Sequence, residues 1–315
     1  MPMLGKTADG LFWMFRYLER NENTARLLDA GFRIALTQAA AAENEWDSVL
    51  TTVGVKQAFR EKYERMETTC VIDFLLREPS NPSSVMSVIQ VARDNARRLR
   101  TALTRELWSA TNECWLTLRE LLARPVRERE LPFVLSTIQQ QNALLSGTLH
   151  GTMMRNEIFN FARLGTFLER ADNTARILDV KYYLLLPSVS LVGSSLDNVQ
   201  WETILRSVSA QRSYHRLHKG DIRPREIANF LMLDLRMPRS LAFCYSKIMG
   251  NLTYLAKDYG VRQLCIDQAE TVFARLTDRS IEEIFESGLH EFIQDFIRDN
   301  NALGRQIEMD YRFYG

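Results

Sequence analysis

The chain contains long stretches without glycine or proline, in which hydrophobic and polar positions do not alternate as they would in a strand. The longest is 83–124, which follows the turn-forming pair Asn81-Pro82 and ends at Pro125. Shorter stretches of the same kind occupy 166–186 and 289–303. Because strands are usually about three to ten residues long and alternate with a period of two, these stretches predict long helices.

Signals for helix ends agree with this pattern. Ser280 followed by Glu283 predicts a capping box at the start of a late helix. Pro224 and Pro238 stand where the first turn of a helix accepts proline. The 14 glycines and 8 prolines in 315 residues are fewer than average, which indicates few turns. The sequence therefore predicts an all-α fold, an elongated bundle of about ten helices.

One segment of the chain occurs twice with few changes. Residues 18–29 read LERNENTARLLD and residues 168–179 read LERADNTARILD, with nine of twelve positions identical. Further matches follow in the same order: Trp46 with Trp201, and Pro82-x-Ser84 with Pro238-x-Ser240. These matches predict a tandem duplication, with residues 1–150 as a first helical repeat and 151–315 as a second, packed together as one globular unit around a pseudo-twofold axis.

The repeated segment carries charged residues on a helix that is otherwise apolar. At 100° per residue, Arg16, Glu19, Asn23 and Arg26 fall on one stripe, and the second copy has Thr166 in place of Arg16. The arginines that follow the two glutamates project toward the apolar side, where only their heads need to reach a carboxylate. The candidate binding or ion-pair cluster consists of Glu19, Arg20, Asn23, Arg26, Glu169, Arg170, Asp172, Asn173 and Arg176.

An unpaired buried charge costs several kcal/mol, so the charged residues of this helix need partners. Two arrangements can supply them. In the first, Glu19 pairs with Arg170 or Arg176 across the two copies and Glu169 reciprocates, which makes the cluster architectural. In the second, the cluster lines a polar cleft that binds a peptide, a nucleotide or a carboxylate. Two glutamates on facing helices could also serve as general acid and general base, although no nucleophile or metal-ligand cluster accompanies them.

Composition narrows the function classes. The 40 basic and 39 acidic residues leave a net charge of +1, which gives no reason to expect nucleic acid or an acidic membrane as a partner. The four cysteines are widely spaced and form no CxxC pair, which is typical of reduced thiols in a cytoplasmic protein. No leader pattern begins the chain, and the longest apolar stretch, Tyr182 to Val192, contains Pro187 and is too short to span a membrane. No cofactor, metal site or catalytic motif is predicted.

The opening GLFWMFRYLERNENTARLLD and its echo RLGTFLERADNTARILDVKYYLL resemble the bacterial alpha-E family, helical proteins named for a Glu-Arg motif. The segments FLLREPSNPSSVMSVIQVARDNARRLR and FLMLDLRMPRSLAFC resemble that family as well. The resemblance covers nearly the whole chain. In this resemblance the family's Glu-Arg motif corresponds to Glu19-Arg20 and again to Glu169-Arg170. The pattern of the second copy also fits Asp172, Asn173 and Arg176.

The resemblance also implies partners. Genes of the family commonly lie beside a circularly permuted ATP-grasp ligase and a transglutaminase-like peptidase, and some relatives are fused to the ATP-grasp protein. This association implies a pathway of ATP-dependent amide-bond formation on a peptide or a small amine. Two hypotheses follow: a non-catalytic partner that binds the ligase or its peptide substrate, and an enzyme that uses Glu19 and Glu169 for acid–base or amide-transfer chemistry between the halves.

Overall fold

The computed structural model describes residues 3–37, 42–184, 195–219 and 221–314, and their regular structure is helical throughout, with no strand. This confirms the predicted all-α class. A short 3-10 turn spans Glu128–Glu130. The fifteen helices are α1 (Gly5–Thr37), α2 (Ala42–Val53), α3 (Lys56–Lys62), α4 (Thr68–Leu76), α5 (Val85–Arg98), α6 (Arg105–Leu121), α7 (Leu131–Thr152), α8 (Glu157–Leu184), α9 (Ser195–Ser207), α10 (Gln211–His218), α11 (Pro224–Met232), α12 (Leu241–Tyr259), α13 (Leu264–Thr277), α14 (Ile281–Ser287) and α15 (Leu289–Asp310).

The two helices that carry the repeated segment, α1 and α8, lie against each other at the centre of the molecule and form its most extensive helix–helix contact. Helices α2, α5 and α7 pack on α1, while α12 and α15 pack on α8. Both central helices bury aromatic and aliphatic side chains such as Phe12, Phe161 and Phe167. The charged residues of the repeated segment are therefore placed in the interior, between the two halves of the chain.

Residues 83–124 form two helices, where the sequence predicted a single helical stretch. Ser84 starts α5 as its N-cap, and its hydroxyl accepts a hydrogen bond from the backbone N–H of Ser87. The chain then turns over residues 99–104, and Thr104 caps α6 by accepting from the backbone N–H of Leu107 at 3.3 Å. A threonine side chain favours a new helix start in this way because it satisfies an otherwise unpaired backbone donor of the first turn.

Other predicted helix ends were partly right. The capping box of Ser280 and Glu283 and the proline in the first turn of α11 are confirmed. Pro238 lies before α12, whose N-cap is Ser240, so its predicted place in a first turn is wrong. Gly304 lies inside α15 and does not end it. The described residues contain fifteen helices and not about ten, and one reason is that the predicted stretch 83–124 is divided.

Gly165, which directly precedes the predicted stretch 166–186, lies inside α8 and does not bound it. At this residue α8 packs against the backbone of α1. A Cβ atom built on Gly165 would lie 3.0 Å from the carbonyl carbon of Phe12 and 3.3 Å from the backbone nitrogen of Arg16. The lack of a side chain therefore lets the two backbones approach, which brings the Glu-Arg segments that follow within reach of each other.

No helix in the described ranges has both the length and the apolar character that crossing a bilayer requires. Most of the apolar stretch from Tyr182 to Val192, including Pro187, lies outside the described residues.

Candidate functional site

Glu19 is the centre of one half of the Glu-Arg cluster. It lies on α1 with only 5% of its surface exposed. Arg170 of α8 binds it through two parallel bonds, from Nε to Oε1 at 2.9 Å and from Nη2 to Oε2 at 2.8 Å. Arg239, which precedes α12, donates from Nη1 to Oε1 at 2.9 Å. One buried carboxylate thus holds two guanidinium groups from distant parts of the chain.

Glu169 occupies the matching place on α8 and is equally buried. Its Oε2 accepts from Arg16 Nε at 2.9 Å and its Oε1 accepts from Arg20 Nε at 2.6 Å. The two central helices therefore exchange ion pairs, with each glutamate bound by arginine from the opposite helix. This is the first of the two arrangements that the sequence left open, with Arg170 as the partner of Glu19.

Arg239 also joins the remaining α1 residues to the cluster. Its Nη1 donates to Asn23 Oδ1 and its Nη2 to Glu22 Oε1, both at 2.9 Å. Arg26 binds the same carboxylate oxygen of Glu22 from one turn further along the helix, with Nε at 2.9 Å. Three residues of the cluster, Glu19, Asn23 and Arg26, are therefore tied to a single arginine from the second half of the chain, either directly or through Glu22.

Arg176 is the candidate that does not cross to the other helix. Its Nε donates to Asp172 Oδ2 at 2.6 Å, one turn earlier on α8. Asn173 lies between them, and its buried Nδ2 has no hydrogen-bond partner among the described residues. An unpartnered buried amide costs free energy unless a ligand or water satisfies it. The segment 172–176 thus contains a polar atom that the described residues leave unsatisfied.

The arginines keep both central glutamates ionised. Burial by itself would raise the pKa of Glu19, but the charges of Arg170 and Arg239 outweigh it and hold that pKa at about 2. Burial opposes ionisation of Glu169 in the same way, and Arg16 and Arg20 together lower its pKa below the ordinary value. Neither carboxyl can take up or release a proton near neutral pH.

This electrostatic arrangement predicts a loss of stability in acid. Because the pKa of Glu19 in the folded chain is about 2 and its ordinary value is 4.5, its ionised form stabilises the fold above pH 4.5 and this stabilisation is lost as the pH falls toward 2. We expect the free energy of unfolding, measured with denaturant at a series of pH values, to fall over that window. A Glu19→Gln variant should show a shallower fall, and an identical pH dependence would contradict the assignment.

A cleft of about 270 Å³ opens beside the Glu169 half of the cluster. Residues of α1, α2 and α8 line it together with Gly54 and Ser83. Its charged lining consists of two cations and two anions: Arg20, Arg176, Glu169 and Asp172. The lining is therefore neutral overall and offers both hydrogen-bond donors and acceptors, which suits a zwitterionic or amide-containing ligand.

Sequence reasoning named Arg16 on the charged stripe but left it out of the candidate cluster, and it overlooked Arg239. A signal for Arg239 was present, because the repeat aligns Pro238-x-Ser240 with Pro82-x-Ser84 and so aligns Arg239 with Ser83. The structure places Ser83 at the cleft beside Glu169 and Arg239 on Glu19. Residues at aligned positions of the two copies thus lie near the two glutamates.

The cysteines of the described residues are free thiols. Burial raises the pKa of Cys114 to about 12, and burial likewise raises that of Cys244 to about 12. Thiols with these pKa values are almost entirely protonated at neutral pH and are poor nucleophiles.

Comparison with known proteins gives a family but no described activity. The Alpha-E family model, described as a predicted alpha-helical domain with a conserved ER motif, matches residues 3–311. Similar proteins include one from Mycobacterium bovis and one from Mycobacterium tuberculosis, both described as uncharacterized and both 22% identical over 322 residues. The alignment covers 94% of this chain and 35% of each relative, so the chain spans about a third of the length of the curated relatives it matches. No solved structure matches.

Proposed function

The chain belongs to the alpha-E family, and we propose that it is a non-catalytic helical partner or adaptor of an ATP-grasp ligase system. In this proposal the chain binds the ligase or its peptide or amine substrate through the Glu-Arg helices α1 and α8. The observation that supports it is that both central glutamates are bound by arginines in the interior, beside a neutral polar cleft.

The state of the glutamates favours binding over acid–base catalysis. A general acid or base works best when its pKa lies near the working pH. The pKa of Glu19 is about 2 and that of Glu169 is also lowered, and each carboxylate already accepts hydrogen bonds from two guanidinium groups. The alternative, in which Glu19 and Glu169 perform amide-transfer chemistry, therefore has less support.

The cleft favours a peptide or a small amine as the bound group. Asp172 offers a carboxylate to an ammonium group, and Arg20 and Arg176 offer guanidinium groups to a carboxylate. The unpartnered Nδ2 of Asn173 can donate to a peptide carbonyl. A peptide backbone presents both donors and acceptors, so these side chains match its chemistry.

The relatives favour a role within a larger assembly. About two thirds of each mycobacterial relative lies outside the match, so in those proteins the alpha-E unit is joined to further sequence. A unit that relatives carry inside a longer polypeptide is suited to act next to another protein, which agrees with the fusions to ATP-grasp proteins that the family resemblance implies.

The direct test uses the full chain and the purified ATP-grasp ligase encoded beside its gene. We expect the two proteins to co-elute in size-exclusion chromatography and the chain to change the rate at which the ligase hydrolyses ATP. If the proteins elute separately and ATP turnover is unaffected by the chain, the proposal is wrong.

A double variant locates the binding surface. Replacing Asp172→Asn and Arg176→Gln removes the charges of the segment 172–176 without exposing a buried charge, since among the described residues these two form an ion pair only with each other. We expect binding of the ligase or its peptide substrate to weaken at least about tenfold, as expected when charged contacts are lost, while the melting temperature stays nearly constant. The matched control is Asp29→Asn with Arg33→Gln, an ion pair of the same spacing on α1. Equal effects of the two double variants would contradict the placement.

A further inference from the structure

A second, smaller recess lies on the Glu19 side of the central helices. Helices α1, α7 and α8 line it, and its volume is about 40 Å³. A single water needs at least roughly 10–15 Å³ by this measure, so the recess has room for a group of about three non-hydrogen atoms. The polar residues that α7 and α8 contribute include Asn142, His150 and Arg163, none of which belongs to the cluster predicted from the sequence.

Arg163 carries a charge for which the described residues supply no ion pair and no hydrogen bond. Its guanidinium carbon lies 4.2 Å from the ring centroid of Phe167. Burial lowers the pKa of Arg163 to about 10, and the nearby charge of Arg170 acts in the same direction. Keeping a half-buried guanidinium without a counter-ion is costly, so the recess has a place for an anion.

The carboxylates beside the recess are already bonded to other arginines, although the charge of Glu19 still raises the pKa of Arg163 against the effect of burial. Glu19 is bonded to Arg170 and Arg239, and Glu22 is bonded to Arg26 and Arg239. The charged lining of the recess consists of Arg163, Arg170, Glu19 and Glu22. Because both carboxylates are bonded to other arginines, Arg163 is the cation of this lining that has no ion pair among the described residues.

Asn142 contributes a polar side-chain atom that lacks a hydrogen-bond partner among the described residues. It is 4% exposed, and its Nδ2 donates to the carbonyl oxygen of Ile138 at 2.9 Å. This bond fixes the orientation of the amide, because the carbonyl oxygen of Ile138 can only accept. Asn142 Oδ1 has no donor among the described residues. An occupant that supplies an N–H or O–H group would satisfy it.

We propose that this recess binds a carboxylate next to an amide N–H, as found at the C-terminus of a peptide, with Arg163 as counter-ion and Asn142 Oδ1 as acceptor for the N–H group. The inference stands on residues other than those of the cleft and does not depend on the ligase. A carboxylate has three non-hydrogen atoms and so fills the recess, while the adjoining Cα and amide N–H of the ligand lie at its opening. His150 does not compete for the anion, since its Nδ1 is bonded to the carbonyl oxygen of Ser146.

The test titrates three probes into the isotope-labelled full chain and follows backbone amide chemical shifts. N-acetylglycine carries both groups, and we expect a Kd of about 1 mM for a ligand of this size. N-acetylglycinamide has the same shape without the charge and should not saturate in the same range. Equal binding of the two, tighter binding of inorganic phosphate, or no saturable shift with N-acetylglycine would each overturn the proposal.

Two variants assign the binding to the recess. Arg163→Met should weaken N-acetylglycine binding at least about tenfold, without lowering the melting temperature, because the lost charge has no ion-pair partner. Asn142→Leu should remove the preference for N-acetylglycine over acetate. The control Arg105→Met alters an exposed arginine of α6 that lines neither the recess nor the cleft, and it should leave binding unchanged. Binding that survives Arg163→Met, or that Arg105→Met abolishes, would contradict the assignment.

Discussion

Replacing Glu19→Gln is expected to destabilise the fold by about 3–5 kcal/mol, the range for breaking a buried ion pair on one side. The substitution leaves Arg170 charged and enclosed without its carboxylate, and it leaves Arg239 with Glu22 as its one remaining carboxylate among the described residues. For a chain of this size such a loss corresponds to a fall in melting temperature of roughly 5–8 °C. Denaturant unfolding and calorimetry at neutral pH measure both quantities.

The same chemical change at an exposed position provides the control. Glu113 lies on the solvent face of α6, and Glu113→Gln should alter stability by less than about 0.5 kcal/mol. A Glu19→Gln variant as stable as Glu113→Gln would show that the ion pairs contribute little to the fold. If Glu19→Gln or Glu169→Gln also abolished a chemical reaction while leaving stability intact, the enzyme hypothesis would replace the adaptor.

Replacing Gly165→Ala is expected to destabilise the fold by about 3 kcal/mol, the upper end of the usual range for overpacking. The new methyl group would press on the backbone of α1 at Phe12, and backbone cannot move aside as a flexible side chain can. The two helices would have to separate, which would lengthen the bonds that Glu169 accepts from Arg16 and Arg20. The variant should therefore show a lower melting temperature and altered shifts around Glu169.

Gly147→Ala is the matched control, with an effect of opposite sign. Gly147 lies within α7 and a Cβ atom there would meet no atom within 4 Å. Alanine lowers the entropy of the unfolded chain and favours the helix, so the variant should gain about 0.5–1 kcal/mol. If both alanine variants were stabilised, the close approach of α1 and α8 at Gly165 would not be required for the fold.

Both predictions concern the contact between α1 and α8, and both bear on the proposed function. The ion pairs hold the two helices in one register, and that register places Arg20 of α1 opposite Asp172 and Arg176 of α8 across the cleft. A variant that loosens the contact should thus weaken ligand binding through geometry. The double variant at Asp172 and Arg176 should weaken binding through lost charge alone, which separates the two causes.

The helical class was within reach of the sequence because it depends on local properties. A scarcity of glycine and proline and a capping box at Ser280 act over a few residues, and the structure confirms both the class and that helix start. Gly165 and Gly304 were misplaced because glycine is also used inside helices, where another element comes close. The duplication and its axis remain predictions from the sequence.

By itself the sequence determined that the chain is helical and that two Glu-Arg segments need counter-charges, since a buried carboxylate cannot stay unpaired. Only the tertiary structure decided which arginines meet which glutamate. The second arginine that binds Glu169 is Arg16 on α1. Thr166 stands at the aligned position of α8, so Glu19 takes its second from Arg239, 220 residues away. Helical periodicity states which residues share a face of one helix, but not which distant segment packs against that face.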